Sequence, residues 1–319
     1  MSLNHSRRRG NPEGNRCSHS WHLGFVLIVG VLVCFAAGPA AAKVLVAAST
    51  TDLASIASSV GGDLVEVVAI GRPNADPHRV EVLPSYMVRV SRARIYLKVG
   101  LWLDQWADQI IDGSHNNDLV IVDCSRGIPV LEKPTGKVDA SMGDVHPDGN
   151  PHYWLDPRNG SIVAHTIAEA LSRFDPAHAS EYAAGSERFA KEMEALVQHG
   201  ERALAGIPSR DIITFHRSWS YFANTFGLNV VSTMEPIPGI PPTGKHLQDL
   251  VSVIKERKVT VALQEPYFSE DAGKFLARET GIRIVRIAAA CDDTAAGSYA
   301  SHFEALFALL SGNAAAGQP

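Results

Sequence analysis

The chain has 319 residues, of which 45% are hydrophobic and 20% are charged, and its formal net charge is −5. This length accommodates two domains of ordinary size, and the composition is that of a soluble globular protein. The first 42 residues contain four Arg and one Glu, so the remainder has 25 basic and 33 acidic residues, a balance of −8. An acidic chain without a cluster of Lys and Arg argues against nucleic acid and anionic membranes as partners.

Residues 1–42 have the three parts of a secretory signal peptide. Four Arg precede an apolar run at residues 23–37, and the segment ends in three Ala at 40–42. The run is too short to favour a transmembrane anchor. Bulky Val33 before Cys34 also fits a lipoprotein cleavage site poorly. We expect cleavage after Ala42 and export of the mature chain.

From residue 43 onward, short apolar segments alternate with amphipathic ones. In the first half, the predicted strands are 44–48, 64–70, 95–99 and 119–122, and the predicted helices are 51–60, 84–92 and 101–111. A polar stretch from Glu132 to Gly149 lacks periodicity and is predicted to be a long mobile loop. Two helices follow, one ending near Phe174 and one spanning 177–205. The second is long enough to serve as a rigid spine.

The second half repeats this alternation. Its predicted strands are 211–215, 229–233, 259–263 and 282–288, and its predicted helices are 218–226, 244–257, 269–280 and 299–310. Strands separated by helices indicate parallel α/β sheets. We therefore predict an α/β protein with an N-terminal lobe (43–176), a linking helix (177–205), a C-terminal lobe (206–311) and a disordered tail (312–319).

Three histidines lie in loops that follow predicted strands or contain Pro. His78 follows Asp76-Pro77, and His152 follows Asn150-Pro151, while His216 ends a predicted strand. Pro fixes its own φ and biases the preceding residue away from helix, so the first two rings are displayed from stiff, extended backbone. Ligands of parallel α/β sheets bind at the carboxyl ends of strands, where such loops fall.

Carboxylates occupy comparable positions. Glu265 follows the predicted strand 259–263, and Asp292 follows the last predicted strand. Three imidazoles and one carboxylate complete a shell for a first-row divalent metal, and an imidazole-rich shell suits Zn²⁺ better than Mn²⁺. No local spacing joins these residues, however. From the residues alone, a shared metal site and a packed structural role for each histidine both remain open.

The order of these motifs resembles the metal-binding solute-binding proteins (cluster A-I) of bacterial ABC transporters for zinc and manganese. The matching segments cover essentially all of the mature chain. They are Asp76-Pro77-His78 with Pro84-Ser85, Asn150 through Pro157, His216 with Tyr221-Phe222 and Phe226-Gly227-Leu228, and Glu265-Pro266-Tyr267 with Glu279-Thr280-Gly281. The resemblance implies two lobes, each a parallel sheet flanked by helices, joined by one long rigid helix with the metal between them.

The resemblance places three metal ligands on His78, His152 and His216. A His at the third position is similar to zinc-type members, since manganese-type members often have Glu there. For the fourth ligand the resemblance leaves two candidates, Glu265 and Asp292, and slightly favours Glu265.

Zinc-type relatives often carry a His-rich loop, but residues 132–148 contain only His146, which does not favour a metal-collecting loop here. Tyr153 and Trp154 are expected to shield the metal from water. The remaining mature-chain histidines are expected to have structural roles: His115, His165, His178, His199, His246 and His302.

Two further expectations concern packing. Trp102 and Trp106 have helical spacing and are predicted to lie in the core. Cys124 and Cys291 fall in different predicted lobes, so we expect them to remain unpaired.

The resemblance implies a monomeric periplasmic receptor that captures a divalent metal and delivers it to an ABC transporter permease. Zinc is the expected metal and manganese the alternative. A zinc-dependent hydrolase with Glu265 as its base is an enzyme alternative, but the sequence has no His-Glu-x-x-His or Gly-x-Ser-x-Gly motif. An adhesin is a third possibility, which the missing lipid anchor disfavours. We expect no catalytic turnover.

Overall fold

The computed structural model describes residues 42–139 and 142–312. The predicted signal peptide and tail fall outside these ranges, apart from their boundary residues 42 and 312. Within the described ranges, no helix is both long enough and apolar enough to cross a membrane.

The N-terminal half forms a four-stranded parallel sheet in the order β2-β1-β3-β4. Its elements are β1 (Val44–Ala48), α1 (Thr51–Gly61), β2 (Val65–Ala69), α2 (Pro84–Arg92), β3 (Ile95–Lys98), α3 (Trp106–Ser114) and β4 (Val120–Asp123). Helix α1 begins after Thr50, whose side chain accepts a hydrogen bond from the backbone N–H of Leu53. Helix α2 begins at Pro84, which is favoured at the first helical position.

Helix α3 begins later than the predicted 101–111, because a tight turn precedes it. Leu101 and Trp102 have φ values of 49° and 67°. The buried carboxylate of Asp104 holds this turn by accepting hydrogen bonds from the backbone N–H groups of Val99 and Gly100. Trp102 is consequently 50% exposed, so the prediction that it lies in the core is wrong, whereas Trp106 is buried as predicted.

The C-terminal half repeats the same strand order as β6-β5-β7-β8, again fully parallel. Its elements are β5 (Asp211–Thr214), α6 (Ser220–Phe226), β6 (Asn229–Thr233), α7 (Gly244–Arg257), β7 (Val261–Gln264), α8 (Asp271–Thr280), β8 (Arg283–Arg286) and α9 (Ser298–Ser311). The central strands β5 and β7 are neighbours with Thr214 paired to Leu263. The residues that follow them, His216 and Glu265, are therefore brought to the same edge of the sheet.

Two helices join the sheets, α4 (Pro157–Phe174) and the 25-residue α5 (Ala179–Ala203). Helix α5 packs against α1, α4, α6 and α9, which confirms the predicted long helix between the lobes. One apolar cluster contains buried residues of both sheets and of this helix, among them Val46, Tyr182 and Leu263. The two lobes thus share a continuous core. Cys124 and Cys291 are buried free thiols.

The close crossing of α5 and α1 predicts a specific stability change. A Cβ atom at Gly185 would lie 2.1 Å from the backbone oxygen of Val60. Gly185→Ala should lower the free energy of unfolding by about 1–3 kcal/mol through overpacking, although Ala favours a helix by up to about 1 kcal/mol. Urea unfolding measures this difference. Gly206→Ala, where a Cβ meets nothing within 4 Å, is the matched control. Equal stability of the two variants would contradict the tight crossing.

Candidate metal centre

The three predicted histidine ligands converge. His78 lies in the loop after β2, His152 precedes α4, and His216 follows β5. Their ligand nitrogens all lie within 4.8 Å of one another, and their ring centroids are 5.1 to 5.5 Å apart. His152 and His216 are buried and His78 is half-buried. The structure thus brings together side chains that are far apart in sequence.

Two of these rings, those of His78 and His152, are oriented by the same local hydrogen-bond pattern. The Oδ1 atom of Asp76 accepts hydrogen bonds from both the backbone N–H (3.0 Å) and the ring Nδ1 (2.7 Å) of His78. The Oδ1 atom of Asn150 accepts the same pair from His152, each at 3.0 Å. This Asx turn closes over the intervening Pro. Because each Nδ1 donates its proton, each Nε2 retains its lone pair.

His216 is oriented differently. Its Nδ1 donates to Oε2 of the buried Glu235 at 2.7 Å, and the same oxygen accepts the backbone N–H of Gly239. The Nε2 atoms of His78 and His152 are buried and have no hydrogen-bond partner in the described part of the chain. Buried polar atoms are normally paired, and metal-bound histidines normally donate their second nitrogen to an oxygen. The three histidines therefore have the arrangement that a metal ion requires.

The orienting oxygens were not identified from the sequence. The repeated Asx-Pro-His spacing is a signal that could have found Asp76 and Asn150. Glu235 has no comparable signal, since only the pairing of β5 with β6 brings it to His216.

The site is electrostatically asymmetric. Burial lowers the pKa of His152 well below its usual value, and the neighbouring histidines act in the same direction. Burial also opposes protonation of His216, but the hydrogen bond and charge of Glu235 prevail and raise the pKa of His216 above its usual value. Protonation is therefore favoured at His216 and disfavoured at His152.

Glu265 lies beside His216, outside the three-histidine group. Its Oε1 accepts hydrogen bonds from Ser218 Oγ at 2.8 Å and Trp219 Nε1 at 3.0 Å. Its Oε2 is buried without a partner among the described residues. Burial raises the pKa of Glu265 to about 7, with the charge of His216 acting in the opposite direction.

Asp292 is not brought into the cluster. It is exposed and lines a separate cleft of about 510 Å³ together with Thr51 and Arg89. The reason is that the preceding residue is tied to α1. The backbone N–H of Cys291 donates to Asp52, and the side chain of Thr51 donates to the backbone oxygen of Cys291. Of the two predicted carboxylates, only Glu265 lies at the histidine site.

A fourth histidine, His146, also reaches the site, which the sequence analysis did not predict. Its ring stacks on His78 with a centroid distance of 5.3 Å and an interplanar angle of 25°. Burial lowers the pKa of His146 to about 3. A cavity of about 40 Å³ is lined in part by His146, His152 and His216. This volume is close to that of one water molecule, so it suits a single ion.

The aromatic residues after His152 close one side of the site. Tyr153 and Trp154 are buried, and the Trp154 ring lies 5.3 Å from His152. Their polar atoms donate to the backbone oxygens of Val99 and Ala289. The histidines that were expected to be structural lie outside the three-histidine group: His115, His165, His178, His199, His246 and His302.

Three inward-facing imidazoles between two parallel α/β lobes, joined by a long helix, define a metal-binding solute-binding protein. Residues 46–311 match the family described as ZnuA, zinc-uptake complex component A, periplasmic. The chain belongs to this family. Its class is therefore the periplasmic receptor of a metal ABC transporter, which confirms the predicted fold and class.

The relatives of this chain carry names that refer to different metals. Over 248 residues, 76% of this chain and 75% of the relative, the chain is 28% identical to the iron-binding protein YfeA of Yersinia pestis. Over 117 residues, 37% of this chain and 35% of the relative, it is 32% identical to the high-affinity zinc uptake system protein ZnuA of Brucella abortus. The crystal structure of a zinc-bound ZnuA deletion mutant has a TM-score of 0.73 at 28% identity, covering 87% of this chain and all of that one.

The pairing of His216 with Glu235 predicts the pH dependence of metal binding. A bound metal requires neutral His216, whose raised pKa keeps a proton on the free protein to a pH above the usual ~6.5. Zinc affinity should fall as pH drops through that pKa, by up to about tenfold per pH unit for one displaced proton. In Glu235→Gln the amide accepts the same hydrogen bond without charge, so the fall should begin at lower pH.

Chelator competition between about pH 5 and 8 measures this shift. Glu279→Gln removes an exposed carboxylate of α8 and should titrate like the wild type. An unchanged curve for Glu235→Gln would contradict the role of its charge.

Proposed function

We propose that this protein captures one Zn²⁺ ion in the periplasm and delivers it to an ABC transporter permease, with His78, His152 and His216 as ligands. The observation that supports this most directly is the pair of buried, unpartnered Nε2 atoms of His78 and His152, each on a ring fixed through Nδ1. The family's zinc-uptake description and the zinc-bound ZnuA relative support the choice of cargo.

The donor set favours zinc over manganese. Within the described residues, the ligand group contains three imidazoles and no carboxylate. Imidazole nitrogen suits Zn²⁺, whereas Mn²⁺ prefers a shell with more oxygen. Manganese remains the alternative cargo, and the iron-binding name of the Yersinia pestis relative illustrates that metals differ among relatives.

Glu265 has a supporting role in this proposal. Zn²⁺ brings two positive charges to neutral imidazoles, and the buried carboxylate of Glu265 beside His216 offsets them. Asp292 takes no part, since it is exposed in a separate cleft.

We further propose that the mature protein begins after Ala42, is monomeric, binds no nucleic acid and catalyses no reaction. A zinc hydrolase needs an open coordination position and space for its substrate. The cavity lined in part by His146, His152 and His216 holds only about 40 Å³ and suits an ion. A separate cleft of about 330 Å³ borders His78 and His216.

Replacing a histidine ligand should abolish high-affinity binding. Loss of a residue that only orients a metal ligand weakens metal binding by about 10- to 100-fold. We expect His216→Ala, which removes a ligand itself, to weaken zinc binding by more than this. Chelator competition on the mature protein, together with metal content after purification, measures the change. His165→Ala, on the exposed side of α4, should bind zinc like the wild type. Wild-type affinity in His216→Ala would overturn the proposed site.

The two carboxylates should behave differently. Glu265→Gln keeps the size of the side chain but removes the buried charge, so we expect zinc affinity to fall by about 10- to 100-fold. Asp292→Asn should leave affinity unchanged. The same competition assay measures both, and a loss confined to Asp292→Asn would reverse this assignment.

A further inference from the structure

We propose that His146 is the fourth protein ligand of the metal, supplied by residues 142–149, which we call the strap. This inference rests on the proposed function, because it concerns the same ion. It assigns a ligand that neither the sequence motifs nor the three-histidine group contains.

The His146 ring lies against two of the other histidine rings. It stacks on His78 and lies 6.5 Å from His152, centroid to centroid. Its Nε2 is buried with no hydrogen-bond partner within the described ranges, as are the Nε2 atoms of His78 and His152. A buried, unpaired ring nitrogen is unfavourable because it has lost its hydrogen bonds to water. A metal ion between His78 and His152 would pair two of these nitrogens. His146 lies outside the group of ligand nitrogens within 4.8 Å of one another, so its ring would have to move toward the ion to pair the third.

Both lobes hold the strap in place. On the C-terminal side, the backbone N–H of Asp144 donates to the backbone oxygen of Pro238 at 2.9 Å. On the N-terminal side, Trp102 Nε1 donates to Asp148 at 2.7 Å, and Arg79 lies 3.7 Å from Asp144. The exposed Trp102, wrongly predicted to be core, therefore anchors the strap.

His146 and Glu265 differ in how they are held at the site. Two hydrogen bonds to Oε1 fix Glu265 in the C-terminal lobe, beside His216, and its buried Oε2 has no partner among the described residues. The His146 ring instead contacts two of the three ligand rings and lines the small cavity with His152 and His216. Zn²⁺ prefers four ligands in a closed tetrahedral site. With His78, His152 and His216, His146 brings the number of protein ligands to four. It lies in the strap, which belongs to none of the strands or α-helices given above.

This arrangement also gives a route for release. The lobes share one continuous core, so a wide separation would expose close-packed apolar surface. Withdrawal of the strap removes one ligand and opens one coordination position while the core stays intact.

X-ray absorption spectroscopy of the zinc-loaded mature protein counts the imidazole ligands directly. We expect four imidazoles in the wild type, and three imidazoles with one added oxygen in His146→Ala. His146→Ala should also bind zinc at least about tenfold more weakly, which is the smallest loss expected when a residue that orients a metal ligand is removed. It should release zinc faster in a chelator chase. Met142→Ala, at an exposed position of the same strap that does not line the cavity, is the matched control and should resemble the wild type.

Three imidazoles in both wild type and His146→Ala, with equal affinity and release rate, would overturn the inference while leaving the three-histidine site intact. A wild-type shell of three imidazoles and one oxygen that is lost in Glu265→Gln would assign the fourth position to Glu265 instead. If the wild type binds no zinc, or His216→Ala binds it normally, the proposed function itself fails and His146 has no ligand role. The wild-type ligand count needs no variant, so it stands even if a substitution disturbs the strap.

Discussion

The continuous apolar core beneath both sheets is the constraint on which the rest of the structure depends. Helix α5 contributes Tyr182, Phe189 and Met193 to a cluster that also contains Val46 of the first sheet and Leu263 of the second. Interiors packed at this density transmit displacement and resist opening. The lobes therefore present their loops to one another at nearly fixed separation, and a site between them has the size of an ion.

The three imidazole rings are oriented by two kinds of hydrogen bond. Loop histidines use the Asx residue two positions earlier, which fixes backbone and ring together. His216, which follows β5, instead donates to Glu235, which lies just after the neighbouring strand β6. Two of these orienting groups are carboxylates and one is an amide. Negative charge thus surrounds the site, while the proposed ligand atoms are imidazole nitrogens, a combination that suits a dication such as Zn²⁺.

The shared core and the strap have different roles in metal capture and metal release. His152 and His216 are buried beside the shared core, so we expect them to move little unless the core moves. The strap lies outside that core and is held by hydrogen bonds from each lobe. A receptor must bind tightly and still surrender its ion to a transporter, and a ligand on a peripheral segment provides one way to meet both requirements. Membership of the zinc-uptake family gives this geometry its biological setting.

The sequence by itself determined the local elements, because side-chain period reports which face of a strand or helix is buried. The alternating strands and helices, the long α5 and the display of His78 and His152 beside Pro all followed from it. It could not place Trp102, which a turn held by Asp104 rotates toward solvent, nor foresee that Asp292 would lie in a separate cleft, away from the histidines. It also gave no sign that Glu235 or His146 would reach the site. Those outcomes depend on strand order and on which loops meet across the core, and contacts between distant segments leave no periodic trace in the chain.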